Sequence, residues 1–345
     1  MHSFARAIVR WQPRHGRRGL PWQGERDPYR VWLSEVMLQQ TQVDAVAPYY
    51  KRFLERFPNV AELALTDEEE VLELWSGLGY YARARHLHAS ARHLMAQHEG
   101  HFPRTPRALG ELPGIGRSTA SAIAVFAFGR RAAILDGNVK RVLARCFGVA
   151  GFPGDGAVQR QLWALAERLI PARSVRTYTQ GLMDLGATVC RRARPACKAC
   201  PVSAQCVALR EGRVDILPTP QPRKTVPLRR ARWVIALQAG RVLLERRPPS
   251  GIWGGLWTFP IASGRDARSL GRAIDCKIAS VRRLEPLEHG FTHFRLRVQP
   301  LLCRVEQFAP RAEEPSRRWM RLGDALGAAV PVPVRRLLRE LALAD

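Results

Sequence analysis

The sequence predicts an all-α domain followed by an α+β domain. Three observations carry this. Residues 1–213 keep a helical cadence with no convincing strand alternation. Residues 214–231 break it with four prolines and four basic residues. Beyond them, apolar positions alternate as in strands. A chain of 345 residues, 46% hydrophobic, is long enough to bury two sizeable cores.

Each element has a local reason. Asp27-Pro28 is an N-cap with a first-turn proline and opens a helix to about Gln39. Thr66-Asp67-Glu68-Glu69 reads as a capping box ahead of VLELW. Tyr81–His98 has helical spacing and stops at Gly100. Helices are also expected over Arg117–Phe128, over Asn138–Phe147, from an Asp155 cap to about Ile170, and over Val175–Thr188. The stretch VDILPTPQPRKTVPLRRA, residues 214–231, reads as an extended linker. In the second domain, 232–345, Trp233–Leu237 and Val242–Glu245 flank Gln238-Ala239-Gly240 as a hairpin. Further strands are expected at Ile278–Leu284 and His293–Val305, with helices near Ser269 and after Pro333.

Composition narrows the function. Fifty arginines and five lysines against 30 acidic residues leave a formal charge of +25. That points to a polyanionic partner, nucleic acid first, although GC-rich codons also favour arginine over lysine. No apolar run approaches the roughly 20 residues of a membrane span. The start, MHSFARAIVRWQPRHGRR, shows no signal peptide, so a cytoplasmic protein is expected. Four of the seven cysteines lie within seventeen residues, which does not resemble a secreted disulfide framework.

Those four are Cys190, Cys197, Cys200 and Cys206, spaced C-x6-C-x2-C-x5-C. Four thiolates on one loop suit zinc or a [4Fe–4S] cluster. Zinc sites usually group their thiolates as two close pairs, so the uneven spacing favours the cluster. Cys146, Cys276 and Cys303 stand apart as ordinary thiols. Arg191, Arg192 and Arg194 ride on the loop and suit a phosphate backbone.

In VWLSEVMLQQTQV, residues 31–43, Glu35 is the single charge. A helix apolar nearly all round is a buried helix, and desolvation raises a carboxyl's pKa toward that of a general acid. An exposed or salt-bridged glutamate is the competing reading. Asp136, in AAILDGNVKRV, sits just ahead of a helix start. Capping alone explains it, yet the same placement keeps a carboxylate ionised. One acid held neutral and one held charged suit an oxocarbenium-like transition state. LPGIGRSTASA, residues 112–122, is a tight Pro/Gly loop opening a helix, a shape that aims backbone N–H groups at an anion.

That loop, LDGNVKR and the four-cysteine loop resemble, in order, the endonuclease III superfamily of helix-hairpin-helix DNA glycosylases. The match narrows to the MutY-type adenine DNA glycosylases through LPWQGERDPYRVWLSEVMLQQTQV, GLGYYARAR and RRPPSGIWGGLWTFP, residues 246–260. The resemblance implies a helix-hairpin-helix glycosylase domain with an iron–sulfur loop at 190–206, then a Nudix-like domain. It implies a monomeric enzyme of the nucleoid that removes adenine opposite 8-oxoguanine, or less well guanine, in double-stranded DNA. Glu35 is then the acid and base, Asp136 stabilises the sugar cation, and Asn138 orients Asp136. Trp22, Leu38 and Gln180 line the adenine pocket, and Gln40 and Tyr80 wedge the duplex. Gly114 and Gly116 meet a phosphate, with a monovalent cation at the hairpin. Cys190, Cys197, Cys200 and Cys206 hold the cluster.

Three positions qualify the resemblance. Members that also cut the strand carry a lysine where this chain has Ser118, so base removal without strand cleavage is expected. Lys140 is the nearest amine in the sequence and suits a phosphate contact. Gln23 stands where an arginine often follows the tryptophan. In the second domain the pyrophosphatase core motif is absent, and Phe291-Thr292-His293 matches a lesion-reading loop that usually has serine at its centre. Two rival readings are an endonuclease III-like lyase and a non-enzymatic iron–sulfur DNA sensor.

Overall fold

The computed structural model describes residues 2–222, 225–308 and 316–343. Its helices, in order, are α1 Ser3–His15, α2 Pro28–Met37, α3 Val43–Arg56, α4 Val60–Leu65, α5 Glu68–Trp75, α6 Ala82–His98, α7 Pro106–Leu109, α8 Arg117–Phe126, α9 Gly137–Phe147, α10 Gly156–Leu169, α11 Val175–Asp184 and α12 Val207–Arg210. The strands are β1 Leu228–Gln238, β2 Arg241–Arg246, β3 Trp257–Thr258, β4 Cys276–Arg283, β5 Leu287–Gly290, β6 Arg295–Phe308 and β7 Arg317–Arg321. Helix α13, Ala267–Ile274, precedes β4; α14, Leu322–Gly327, and α15, Val332–Ala342, follow β7. No helix of the described residues is long and apolar enough to cross a membrane.

Two compact units do not follow the chain linearly. The first joins the residues up to Leu65 with those from His86 to the linker; the second joins Thr66–Arg85 with the C-terminal sheet. The first is helical. Phe4 and Ile8 of α1, Val139 and Leu143 of α9, Leu162 of α10 and Leu182 of α11 form one buried cluster in it.

The second unit has a mixed seven-stranded sheet in the order β3-β2-β1-β6-β4, with β5 also paired to β6 and β7 to β2. β1 and β6 run parallel; the other pairs are antiparallel. Alternation along β1 sends Trp233 and Ile235 to a core shared with Leu337 and Leu338 of α15. It sends Val234 and Ala236 to the opposite core, shared with Leu270 and Ile274 of α13. Helix α5 belongs here for specific reasons. Trp257 Nε1 donates to Glu69 Oε1 at 2.7 Å, Ser76 Oγ to the Val330 carbonyl at 2.7 Å, and Arg85 to the Gly254 carbonyl at 2.7 Å.

Several boundaries differ from the sequence reading. The capping box shifts by one residue: Asp67 is the N-cap of α5, and the Thr66 hydroxyl turns to the Glu70 carboxylate. The helix expected to Phe128 ends at Phe126, because Arg176 takes the Val125, Phe126 and Ala127 carbonyls. The helix expected over Val175–Thr188 passes at Leu185 into a π-turn, Leu185–Val189. β1 starts at Leu228, inside the stretch read as linker, of which residues 223 and 224 lie outside the described residues. The strand expected over His293–Val305 opens with a turn, Phe291 N–H to Phe294 carbonyl at 2.8 Å, so β6 begins at Arg295.

Candidate active site

Helix α2 is fixed by its cap: Asp27 Oδ1 accepts from the Tyr29 and Arg30 N–H groups at 2.8 and 3.1 Å. Val31, Trp32, Leu33, Val36 and Met37 are buried around it. This places Glu35 in apolar surroundings, facing a cleft of about 1160 Å³ in the first unit. Burial, and then the nearby charge of Asp136, push the Glu35 carboxyl up to about 8.

Asp136 lines the same cleft and caps α9, its Oδ1 accepting from Val139 N–H at 2.7 Å. Asn138 Nδ2 lies 3.4 Å from its Oδ2. The cap position by itself is expected to keep Asp136 ionised. In the fold, burial outweighs the cap and raises its carboxyl above the ordinary value, while Val139, Asn138 and Arg141 pull the other way. Glu35 has no such lowering partners, so it is the one of the pair that keeps its proton at neutral pH.

The cleft also gathers Leu38, Gln40, Ser118, Asn138, Arg141, Arg191 and Arg192. The Ser118 hydroxyl accepts from Leu135 N–H at 3.0 Å. Lys140 is not among the described residues lining this cleft. A second pocket of about 280 Å³ shares Glu35 and Leu38 with the cleft and adds Trp22, Gln23 and Gln180. Its volume is close to the roughly 300 Å³ lower bound of small-ligand pockets. Trp22 meets Tyr50 edge to face at 5.4 Å, and Gln23 gives its amide to the Arg17 carbonyl.

Three residues escaped the sequence reading. Asp184, fully buried, takes Arg17 Nε at 2.8 Å and Gln180 Nε2 at 2.9 Å on one oxygen. It is a lone carboxylate in QGLMDLGATV, the same signal that marks Glu35. Arg141 binds Asn138 Oδ1 at 2.8 Å, the Gly186 carbonyl at 2.6 Å and the Cys190 carbonyl at 2.7 Å. It thereby ties the N-terminus of α9 to the π-turn and the cysteine loop. Gly186 permits this approach: a Cβ there would sit 2.5 Å from that of Asn138.

Cys190, Cys197, Cys200 and Cys206 line one small cavity together with Cys146 and Arg145. Cys146, read from sequence as standing apart, is therefore a buried neighbour of this loop. Arg145 reaches Cys190 Sγ at 3.4 Å and holds the Arg191 and Arg192 carbonyls at 2.7 and 3.2 Å. No three His, Cys, Asp or Glu side chains among the described residues are grouped to hold a single metal ion. Four thiols around a shared cavity do suit a multinuclear cluster.

In the hairpin loop, Gly114 has φ of +74°, with His86 where a Cβ would point, and Gly116 is the N-cap of α8. Tyr80, Phe291, Thr292 and His293 belong to the second unit. Tyr80 and Gln40 both have positive φ, +50° and +56°, a strained backbone that recurs at functional sites. Phe291 stacks on Phe294 at 4.4 Å and packs near Trp253 and His289, which leaves Thr292 and His293 exposed at the tip.

Comparison with known proteins agrees with both units. Residues 33–168 match the family model of the HhH-GPD superfamily base excision DNA repair protein, and residues 232–340 that of the NUDIX domain. The adenine DNA glycosylase of Buchnera aphidicola subsp. Acyrthosiphon pisum is 34% identical, over 98% of this chain and 97% of that one. The Homo sapiens adenine DNA glycosylase is 33% identical, over 98% of this chain and 73% of its own. Among solved structures, a thermostable thymine-DNA glycosylase superposes with a TM-score of 0.55 at 31% identity, covering 60% of this chain and 95% of that one. A trapped endonuclease III–DNA covalent intermediate shares the helical fold, at a TM-score of 0.52 and 23% identity over 60% of this chain and 94% of its own. On this similarity, spanning both domains, the chain belongs to the MutY-type adenine DNA glycosylases, enzymes that act as DNA N-glycosylases in base excision repair.

Proposed function

We propose that the chain removes adenine mispaired with 8-oxoguanine, and less well with guanine, and then stops. The observation that carries this is the cleft where Glu35, held protonated to about 8, shares space with Asp136 at the N-terminus of α9.

A flipped adenine seats in the 280 Å³ pocket, between Trp22 and Leu38, with Gln180 on its edge. Glu35 gives its proton to N7 of the base. The N-glycosidic bond breaks and its electron pair leaves with the adenine. The cation left at C1′ is stabilised by Asp136, by charge or a transient covalent bond, and Asn138 keeps Asp136 aimed. Glu35, now a carboxylate, takes a proton from the water that adds to C1′, which restores the acid.

Ser118 offers a hydroxyl and no amine, so no Schiff base forms there and the strand stays whole. This argues against the lyase reading, and a desolvated acid argues against a pure binding sensor. Gln40 and Tyr80 wedge the duplex, and Phe291-Thr292-His293 read the 8-oxoguanine. Phe291 acts there as an anchor for the loop, since its ring is already packed. Gly114 and Gly116 present N–H groups to a phosphate, with a monovalent cation in the hairpin. Cys190, Cys197, Cys200 and Cys206 would hold a [4Fe–4S] cluster. When bound, that cluster cross-links the loop that brings Arg191 and Arg192 to the cleft.

The test is a duplex with one adenine:8-oxoguanine pair, incubated with protein and then heated in alkali. Strand scission at the adenine only after alkali, with no borohydride-trapped adduct, supports the reading. Scission before alkali, or no alkali-labile site, overturns it.

A further inference from the structure

The second unit carries a concentration of charge that the reaction above does not use. Alternation along β1 and β6 puts Arg230, Arg232 and Arg297 on the sheet face that buries Val234, Ala236, Leu301 and Cys303 farther along. There α13 covers the face. Beyond α13 it opens into a concavity of about 640 Å³, to which Arg265 and Arg283 also come.

The parallel register sets Arg230 directly beside Arg297. Like charges so placed destabilise a sheet. Among the described residues no acidic side chain lines the concavity. Among the described residues Arg297 pairs with Glu288 alone, at 3.9 Å, and the other four have no carboxylate within 4 Å. Some arginines elsewhere in this unit are matched, Arg317 with Glu245 and Asp275, Arg246 with Glu69 and Arg336 with Glu340; what sets the concavity apart is that five converge on one hollow whose described lining holds no carboxylate.

We propose that this concavity is a phosphate-binding site that grips the sugar-phosphate backbone of the DNA. The occupant follows from the family, whose substrate is duplex DNA, and from continuity. β6 begins at Arg295, two residues before Arg297, and the turn that leads into it carries the exposed His293. The proposal rests on DNA binding and not on adenine or 8-oxoguanine recognition.

The test therefore uses an undamaged duplex with the full-length protein. Binding of wild type and of Arg230→Gln/Arg283→Gln is measured across a salt series. The variant should bind about tenfold more weakly near 0.1 M salt, with the slope of log K against log salt shallower by about 2. Arg230→Lys/Arg283→Lys should recover most of the slope. Arg336→Gln/Arg339→Gln on α15 sets the effect of losing two surface charges elsewhere. A slope change no larger than that control, in protein with a normal melting transition, overturns the proposal. So does binding of inorganic pyrophosphate or dGTP that the variant loses while its duplex slope stays normal, which would assign the concavity to free nucleotides.

Discussion

Gln180 donates Nε2 to Asp184 Oδ1 at 2.9 Å, and Arg17 Nε donates to the same oxygen at 2.8 Å. With its nitrogen committed, Gln180 keeps its carbonyl oxygen as an acceptor. An acceptor on the pocket wall matches the N6 amino group of adenine, the feature that separates it from purine.

Asp184→Asn breaks this assignment, because an amide offers a donor to Gln180 as readily as an acceptor. Excision of adenine should slow roughly 10–100-fold, the scale of one lost base contact. Excision of unsubstituted purine from the same duplex should slow much less. Equal losses on both bases would show that Asp184 only supports the fold.

The pH profile follows from Glu35. It must be protonated to act as acid, and it stays so up to about 8. Single-turnover excision should be nearly flat up to that pH and fall about tenfold per unit above it. Folding stability carries the same signature. Folded Glu35 binds its proton up to about 8, and the unfolded chain only to the ordinary carboxyl value of 4.5. The folded state therefore holds the extra proton in that window and loses stability as pH rises through it. Denaturation of Glu35→Gln should show a weaker pH dependence there; an unchanged dependence would mean the carboxyl is not desolvated.

The cluster proposed for Cys190, Cys197, Cys200 and Cys206 is tested by metal content. Anaerobically purified protein should be brown and hold about four irons per chain, the stoichiometry of a [4Fe–4S] cluster. Cys197→Ser should lose colour and iron. Zinc without iron would overturn the assignment.

Lesion reading is best tested by point variants. Truncation near residue 225 removes the C-terminal loop, but it also strips Glu69, Ser76 and Arg85 of Trp257, Val330 and Gly254. Tyr80 lies in that orphaned segment, so truncation confounds two effects. Thr292→Ala and His293→Ala leave those contacts in place. Each should lower the preference for adenine:8-oxoguanine over adenine:guanine, by roughly 5–150-fold for a good base contact. An unchanged preference in both returns lesion reading to Gln40 and Tyr80.

Much of this was legible in the sequence, for local reasons. Asp27-Pro28 and Asp136 announce helix starts because capping is written in two or three adjacent residues. Ala239-Gly240 announces the β1–β2 turn because both residues take positive φ, +47° and +68°. Glu35 stood out as one charge among apolar neighbours. What stayed hidden is long-range. Nothing near Glu69 or Ser76 tells that α5 packs with a sheet some 190 to 250 residues later. Nor does the cap at Asp136 reveal how deeply it is buried. Arg141 looks like any surface arginine of a basic chain until the fold brings Gly186 and Cys190 to it.

If Glu35 is the proton donor for adenine departure, its loss must stop base release and leave DNA binding in place. The most direct measurement compares wild type and Glu35→Gln on a duplex with one adenine:8-oxoguanine pair, recording binding and single-turnover adenine release together. Gln nearly keeps the shape and has no acidic proton. Binding should persist while release falls by about 10²–10⁴-fold or more. Adenine release by Glu35→Gln at close to the wild-type rate would remove Glu35 from the reaction.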